Sequence, residues 1–208
     1  MGFPFLCSGQ ETTRQPLISV IARATPDSVM LRWAIDQPAF WKRANTYGYS
    51  IERFTISRKG TLLNPPERKM LTTNPIKPLP LERWQTAVQT NDYAAILAQA
   101  LYGEDFEVAG TEQGTLLSIV NKSRELDQRF SFALFAADMN FEAATMAGLG
   151  YIDTTISTEE TYFYKIKTAV PENFGKVTAG TIAVNPKKVN LLPAPIDLFV
   201  VEGDRNIM

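Results

Sequence analysis

The chain has 208 residues, 45% of them hydrophobic, enough to bury a core and compatible with one or two domains. Lys and Arg number 21 against 22 Asp and Glu, so the net charge of -1 gives no field to draw nucleic acid or an anionic membrane. No membrane span is expected either, because no apolar run reaches the roughly 18 to 20 residues that one requires. The absence of histidine removes the commonest general base and metal ligand, and with it zinc, haem and Ser-His-Asp chemistry within this chain. A single cysteine, Cys7, leaves the fold to stand on packing rather than on internal disulfides.

At the N-terminus, a short apolar patch is followed by the small residues Ser8 and Gly9, as at the end of a secretory signal, but the basic start and most of the apolar region are missing. Residues 1–16 therefore read either as a signal remnant with a truncated start or as an ordinary mobile terminus. A lipid-modified Cys7 is a weaker variant, since bulky Leu6 stands where a small residue is wanted. Residues 18–22 and 28–35 alternate and are rich in β-branched side chains, with residues 24–27 as the turn between two strands. In the second, Val29, Leu31 and Trp33 share one face and Met30 and Arg32 the other, which makes Trp33 a core anchor. Residues 36–45 are too irregular for a strand and carry two aromatics that look exposed, Phe40 and Trp41, beside Lys42 and Arg43. Strand character resumes over 48–57.

Five prolines between Asn64 and Leu81 exclude both helix and inner strand, and predict a semi-extended lead-in. From Pro80 the period becomes helical. Leu81, Trp84 and Val88 form one stripe; after a break at Asn91-Asp92 come Ala94, Leu97, Ala98 and Leu101, with Gly103 as the C-cap. A longer helix carries Leu116, Ile119, Val120, Leu126, Phe130, Ala133, Leu134 and Ala137 at three- and four-residue steps. Phe132 and Phe135 widen its apolar face near the end. A short fourth helix is expected from the N-cap Asn140 to Ala147, ended by Gly148 and Gly150. Strands return over 151–155, 161–170 and 176–184.

These segments resemble the fibronectin type III domain, a seven-stranded β-sandwich of the immunoglobulin-like class. The stretch Asp27-Ser-Val-Met-Leu-Arg-Trp33 is similar to its second strand and Tyr47-Gly-Tyr-Ser-Ile-Glu-Arg53 to its third. Ile156 stands six positions before Tyr162, the spacing of that family's tyrosine corner. The resemblance implies a mainly β sandwich made of residues 17–63 and 149–186, interrupted by a helical insertion of three to four helices over 64–148. It also implies that Trp33 and Tyr162 meet in one interior. Residues 187–208 resemble a linker and the start of a second such domain, as in uncharacterised multi-domain proteins of bacterial envelopes and surfaces.

Phe40, Trp41 and Arg43 form a combination that can stack on a sugar ring or a peptide side chain, or else close the sandwich edge against the inserted helices. Trp84, on an apolar helix stripe, is the fourth candidate contact, with core packing the plainer reading. Glu104, Asp105 and Glu107 stand too close together in a polar loop to flank a glycosidic bond, and no Asp-x-Asp-x-Asp-Gly loop supports calcium. Asn121-Lys-Ser123 fits the glycosylation pattern but falls inside a predicted helix. Asp36, Asp138 and Asp153 have no neighbouring nucleophile and base. Gly103, Gly110 and Gly114 are too widely spread for a phosphate loop. The expectation is thus no enzyme, with no catalytic, metal or cofactor residues. It is a cell-surface, secreted or periplasmic module that binds other envelope proteins or further domains of its own chain through the insertion. Carbohydrate binding, as the accessory module of a glycan-processing system, is the alternative. Full coverage of Leu97, Leu116, Phe132 and Phe135 within the chain would count against the first reading, and burial of the tryptophans against the second.

Overall fold

A computed structural model of the chain describes residues 14–104 and 115–187. Within them, seven strands form two antiparallel sheets. The three-stranded sheet has the order β1 (Ile18–Ala24), β2 (Val29–Ile35), β5 (Gly150–Asp153), and the four-stranded sheet the order β4 (Thr61–Met70), β3 (Tyr49–Arg58), β6 (Glu160–Thr168), β7 (Gly180–Val184). The β1–β2 turn is closed by backbone and hydroxyl together: Thr25 N–H donates to the Ser28 carbonyl, and Ser28 N–H to Thr25 Oγ1.

Alternation decides which side chains fill the interior. Val29, Leu31, Trp33 and Ile35 of β2, Tyr49 and Ile51 of β3, and Tyr162, Tyr164 and Ile166 of β6 all belong to one buried cluster. Trp33 meets Tyr49 edge to face at 5.7 Å between centroids, and Tyr162 lies in the same interior. Its hydroxyl accepts the Ser157 N–H at 2.6 Å and donates to Glu160 at 2.7 Å.

Two segments differ from expectation. Residues 38–47 are helical, as α1 (Pro38–Tyr47): Pro38 supplies a preset φ in the first turn, and Trp41 and Ala44, three apart, give the buried side. Second, β4 pairs with β3 as far as Met70, past the prolines at 65 and 66 and past position 64, where the helical segment was expected to begin. An outermost strand needs only one hydrogen-bonded side, so residues without an N–H are tolerated there, and a register shift between Thr55 and Ser57 takes up the irregularity.

The helical part contains a 3₁₀ turn (Leu81–Trp84), α2 (Ala87–Thr90), α3 (Asp92–Tyr102), α4 (Thr115–Met139) and α5 (Phe141–Met146). Asn91 caps α3, its Oδ1 accepting from the Tyr93 and Ala94 N–H groups, and Asn140 caps α5 through Ala143. The contact faces are built from small residues. Ala94, Ala98 and Ala100 of α3, Ala133, Ala136 and Ala137 of α4 and Ala143 and Ala144 of α5 are buried, with Leu97 among them, in the same core as the sheets. Side chains this short let helix axes approach closely.

The proline-rich lead-in is wedged between two glycines. Gly48 (φ 87°) and Gly148 (φ 67°) adopt the left-handed region, and a Cβ at either would fall within 2.7 Å of backbone atoms of Ile76 or Lys77. Ile76 and Tyr49 exchange both backbone hydrogen bonds there, which ties the lead-in to the start of β3.

Across the interior, Arg53 Nη1 of β3 donates to Asp153 Oδ2 of β5 at 2.7 Å, and Asp153 also accepts from the Tyr164 hydroxyl and from the N–H and Oγ1 of Thr155. Burial alone would raise the Asp153 carboxyl, but the Thr155 N–H and the Arg53 guanidinium outweigh it and hold it below the usual carboxylate value. Asp153→Asn strands a buried guanidinium and should cost about 3–5 kcal/mol of stability in urea unfolding, while removing both charges together (Arg53→Met with Asp153→Ala) should recover most of it. Because the folded-state carboxyl is more acidic than the unfolded one, the pair's contribution is complete above about pH 4 and is lost as pH falls further. The gap between wild type and Asp153→Asn should therefore close in acid; a gap independent of pH would contradict this account.

Candidate interaction surface

The four residues singled out from sequence divide in two. Trp41 and Trp84 are 2% and 1% exposed and belong to the core. Trp41 packs edge to face on Phe130 of α4, so the ring expected in an open connection instead joins α1 to the helical layer. Trp84 donates its indole N–H to the Leu79 carbonyl, which also accepts from the Tyr102 hydroxyl. These two tryptophans fix the helical layer in place, and neither ring offers a free face.

Phe40 and Arg43, one helical turn apart on α1, do come together, and the partner that sequence did not indicate is Phe174, from the turn after β6. The Arg43 guanidinium lies 5.2 Å from the Phe40 centroid and 5.1 Å from that of Phe174. Both rings therefore spend a face on the cation of their own chain. Tyr47 extends the group beside Phe174.

The helical layer is held to the three-stranded sheet by a residue that breaks the alternation. Arg32 points to the outer side of β2, next to Gly150 of β5, yet it is buried, because the end of α4 and α5 cover that place. Its Nη2 pairs with Asp138 of α4 at 3.1 Å, and Nη1 donates to the Trp33 carbonyl. Phe141 and Thr145 of α5 close over Gly150, where a larger residue would meet them. Within the layer, Arg129 of α4 donates to the carbonyls of Gln99, Ala100 and Gly103, which are the acceptors left over at the end of α3, and pairs with Glu125.

The opposite side of α4 faces out. Phe132, Phe135 and Met139, at i, i+3 and i+7, are 44%, 52% and 55% exposed, with Tyr93 of α3 set edge-on against Phe135. Leu97 is fully buried; the side chain of Leu116 lies outside the described residues.

The remaining acidic candidates gather no site. Glu104 is exposed, and Asp105 and Glu107 lie outside the described residues, as do Cys7 and the side chain of Asn121. Asp36 accepts the Leu17 N–H near Arg14, Asp138 pairs with Arg32 and Asp153 with Arg53, so each serves an arginine of the scaffold. Among the described residues no three acidic or cysteine side chains are grouped to hold a metal ion, and no helix is long and apolar enough to cross a membrane. Compared with protein-family models, with curated proteins and with solved structures, the chain matches none.

Since Trp33, Trp41 and Trp84 are all the tryptophans in the chain and all are buried, native fluorescence should be blue-shifted and resist iodide quenching, and titration with a glycan panel should leave it unchanged. Ready quenching would contradict the burial. The Arg32–Asp138 pair should respond unequally: Asp138→Ala leaves a buried guanidinium short of its acceptor and should cost about 1–3 kcal/mol, whereas Arg32→Met leaves only an exposed carboxylate and should cost less in the same denaturation assay.

Proposed function

We propose that this chain is a non-catalytic protein-interaction module, built as a fibronectin type III-like sandwich whose helical insertion makes the specific contact. The sandwich reading is supported by the division of seven antiparallel strands into sheets 1-2-5 and 4-3-6-7 around a common interior. It is further supported by the Tyr162 hydroxyl bonded back to the Ser157 backbone at the entry to β6, as in a tyrosine corner. The setting that goes with the reading is the outside of a bacterial cell or its periplasm, and the partners are other envelope proteins or further domains of the same chain.

The observation that carries the functional part is the stripe of Phe132, Phe135 and Met139. A helix that buries an alanine face in the core and turns two phenylalanines and a methionine outward has a second apolar face, and such a face marks a contact site. A glycan platform would need flat, free aromatic rings. Trp41 and Trp84 are in the core and Phe40 is engaged with Arg43, so no specific observation favours that alternative.

The test is a pull-down from the native envelope with the intact protein and with Phe135→Glu and Met139→Glu variants. The substitutions sit on the surface and should change stability by no more than about 1 kcal/mol, which thermal melts check. Recovery of a defined partner by wild type and its loss with either variant is the expected result. Equal recovery by all three, or no partner with wild type, would sink the proposal.

A further inference from the structure

The four-stranded sheet has an outer face that the helical contact does not use. Its registers place Phe54 of β3 directly opposite Phe163 of β6, Glu52 opposite Lys165, and Ser50 opposite Lys167, with Arg68 of β4 on the far side of Phe54. The two phenylalanine rings touch at 6.3 Å, tilted by 57°, and are half-buried. Around them stand three cations and one carboxylate. Glu52 Oε1 already accepts from both Lys167 and Arg68, each at 2.8 Å, and its carboxyl is held below the usual value chiefly by Lys167, against the opposing effect of burial. Lys165 has no ion pair among the described residues, and beside it on β7 the exposed Thr181 and Ala183 are too short to close off its flank or that of Phe163. The face thus carries an apolar centre and a surplus of positive charge, on a chain whose net charge is -1.

We infer that this face is a second binding surface, distinct from the α4 stripe, and that it takes an acidic segment of a partner protein in which carboxylates flank an aliphatic side chain. Charge complementarity sets the sign of the partner, with Lys165 as the unneutralised cation. The ring geometry sets its class. Sugar rings and nucleobases stack on a flat exposed aromatic face, whereas two half-buried rings tilted by 57° form a shallow wedge that fits a branched alkyl group. The small residues on β7 leave a trough beside Phe163 and Lys165 along which an extended segment can lie.

The experiment is a titration of the isotopically labelled whole chain, followed by amide NMR shifts, with the peptide Glu-Glu-Leu-Glu-Ile-Glu-Glu. An all-glutamate peptide of equal length and a uronate oligosaccharide serve as the comparison ligands. The mixed peptide should give saturable shifts confined to residues 50–54, 163–167 and 181–183, weakening as salt rises. Lys165→Glu should weaken binding about tenfold, since it reverses a partly exposed charge on the rim of the contact and breaks no ion pair seen among the described residues. Phe135→Glu, which tests the helical contact, should leave the titration unchanged. No saturable shift, shifts on another face, or equal binding of the all-glutamate peptide or the uronate would overturn the inference. The spectrum of each variant reports its own folding, so a misfolded variant is recognised and replaced by Lys165→Gln, for which weakening of about threefold is expected.

Discussion

An arginine side chain taken out of water keeps its charge, so it must find a counter-charge or the fold that buries it pays several kcal/mol. In this chain that condition is met at one point between the two sheets. Arg53 stands in the middle of β3, on the face that also carries Tyr49, Ile51 and Thr55, and Asp153 comes from the last residue of β5, after the helical excursion. Their contact fixes how β5 lies against the four-stranded sheet, and Tyr164 and Thr155 complete the carboxylate. The same guanidinium lies 4.7 Å from the Tyr162 ring, whose hydroxyl holds the turn at Ser157. The two parts of the sequence that make the sheets, separated by the helices, are thus joined by a polar hub that tolerates little displacement. Apolar contacts alone would bring them together but would allow them to slide.

The helical layer is attached by a different means. Its alanine faces let the helices nest, and the sheet meets it at Arg32, whose outward position on β2 would ordinarily be solvated. By covering Arg32 and Gly150, α4 and α5 take up part of the outer face of the three-stranded sheet and leave Ile21, directly opposite Arg32 on β1, and Ile152 exposed. The layer spends its small residues inward and so has its large ones left over. This is why Phe135 and Met139 face out, although the helix that carries them is firmly packed.

Much of this was legible in the sequence because it rests on period and parity. The alternation through Trp33 and Tyr162, the helical steps from Leu81 to Ala137, the break at Asn91 and the cap at Asn140 each follow from local rules, and the elements stand within a few residues of where those rules put them. Parity also placed Arg53 on the core side of β3, a signal that a search for the matching acid could have used. What local rules could not reach was pairing at long range. Asp153 is a hundred residues from Arg53, Asp138 more than a hundred from Arg32, and Arg129 ends a helix other than its own. The helix α1 was missed because its inward side consists of little more than Trp41 and Ala44. For the same reason Trp41 looked like a surface aromatic: nothing near it in sequence announces Phe130.

A near-zero net charge gives no field to draw nucleic acid or an anionic membrane, and this holds only for the summed field at a distance. At contact range the distribution decides. Arg32 and Arg53 are neutralised inside the fold by Asp138 and Asp153, and Arg58 at the surface by Glu67 and Glu160. Pairs consumed in this way contribute nothing to recognition. On the outer face of the four-stranded sheet, among the described residues, a single carboxylate serves two cations while a third has no ion pair, so the face is positive although the chain is not. The two surfaces then differ in the force each can exert. The stripe on α4 gains by removing apolar area from water and is indifferent to salt, while the sheet face adds a Coulombic part that salt screens within about 8–10 Å. The contacts proposed for the two surfaces would therefore be distinguishable by ionic strength alone.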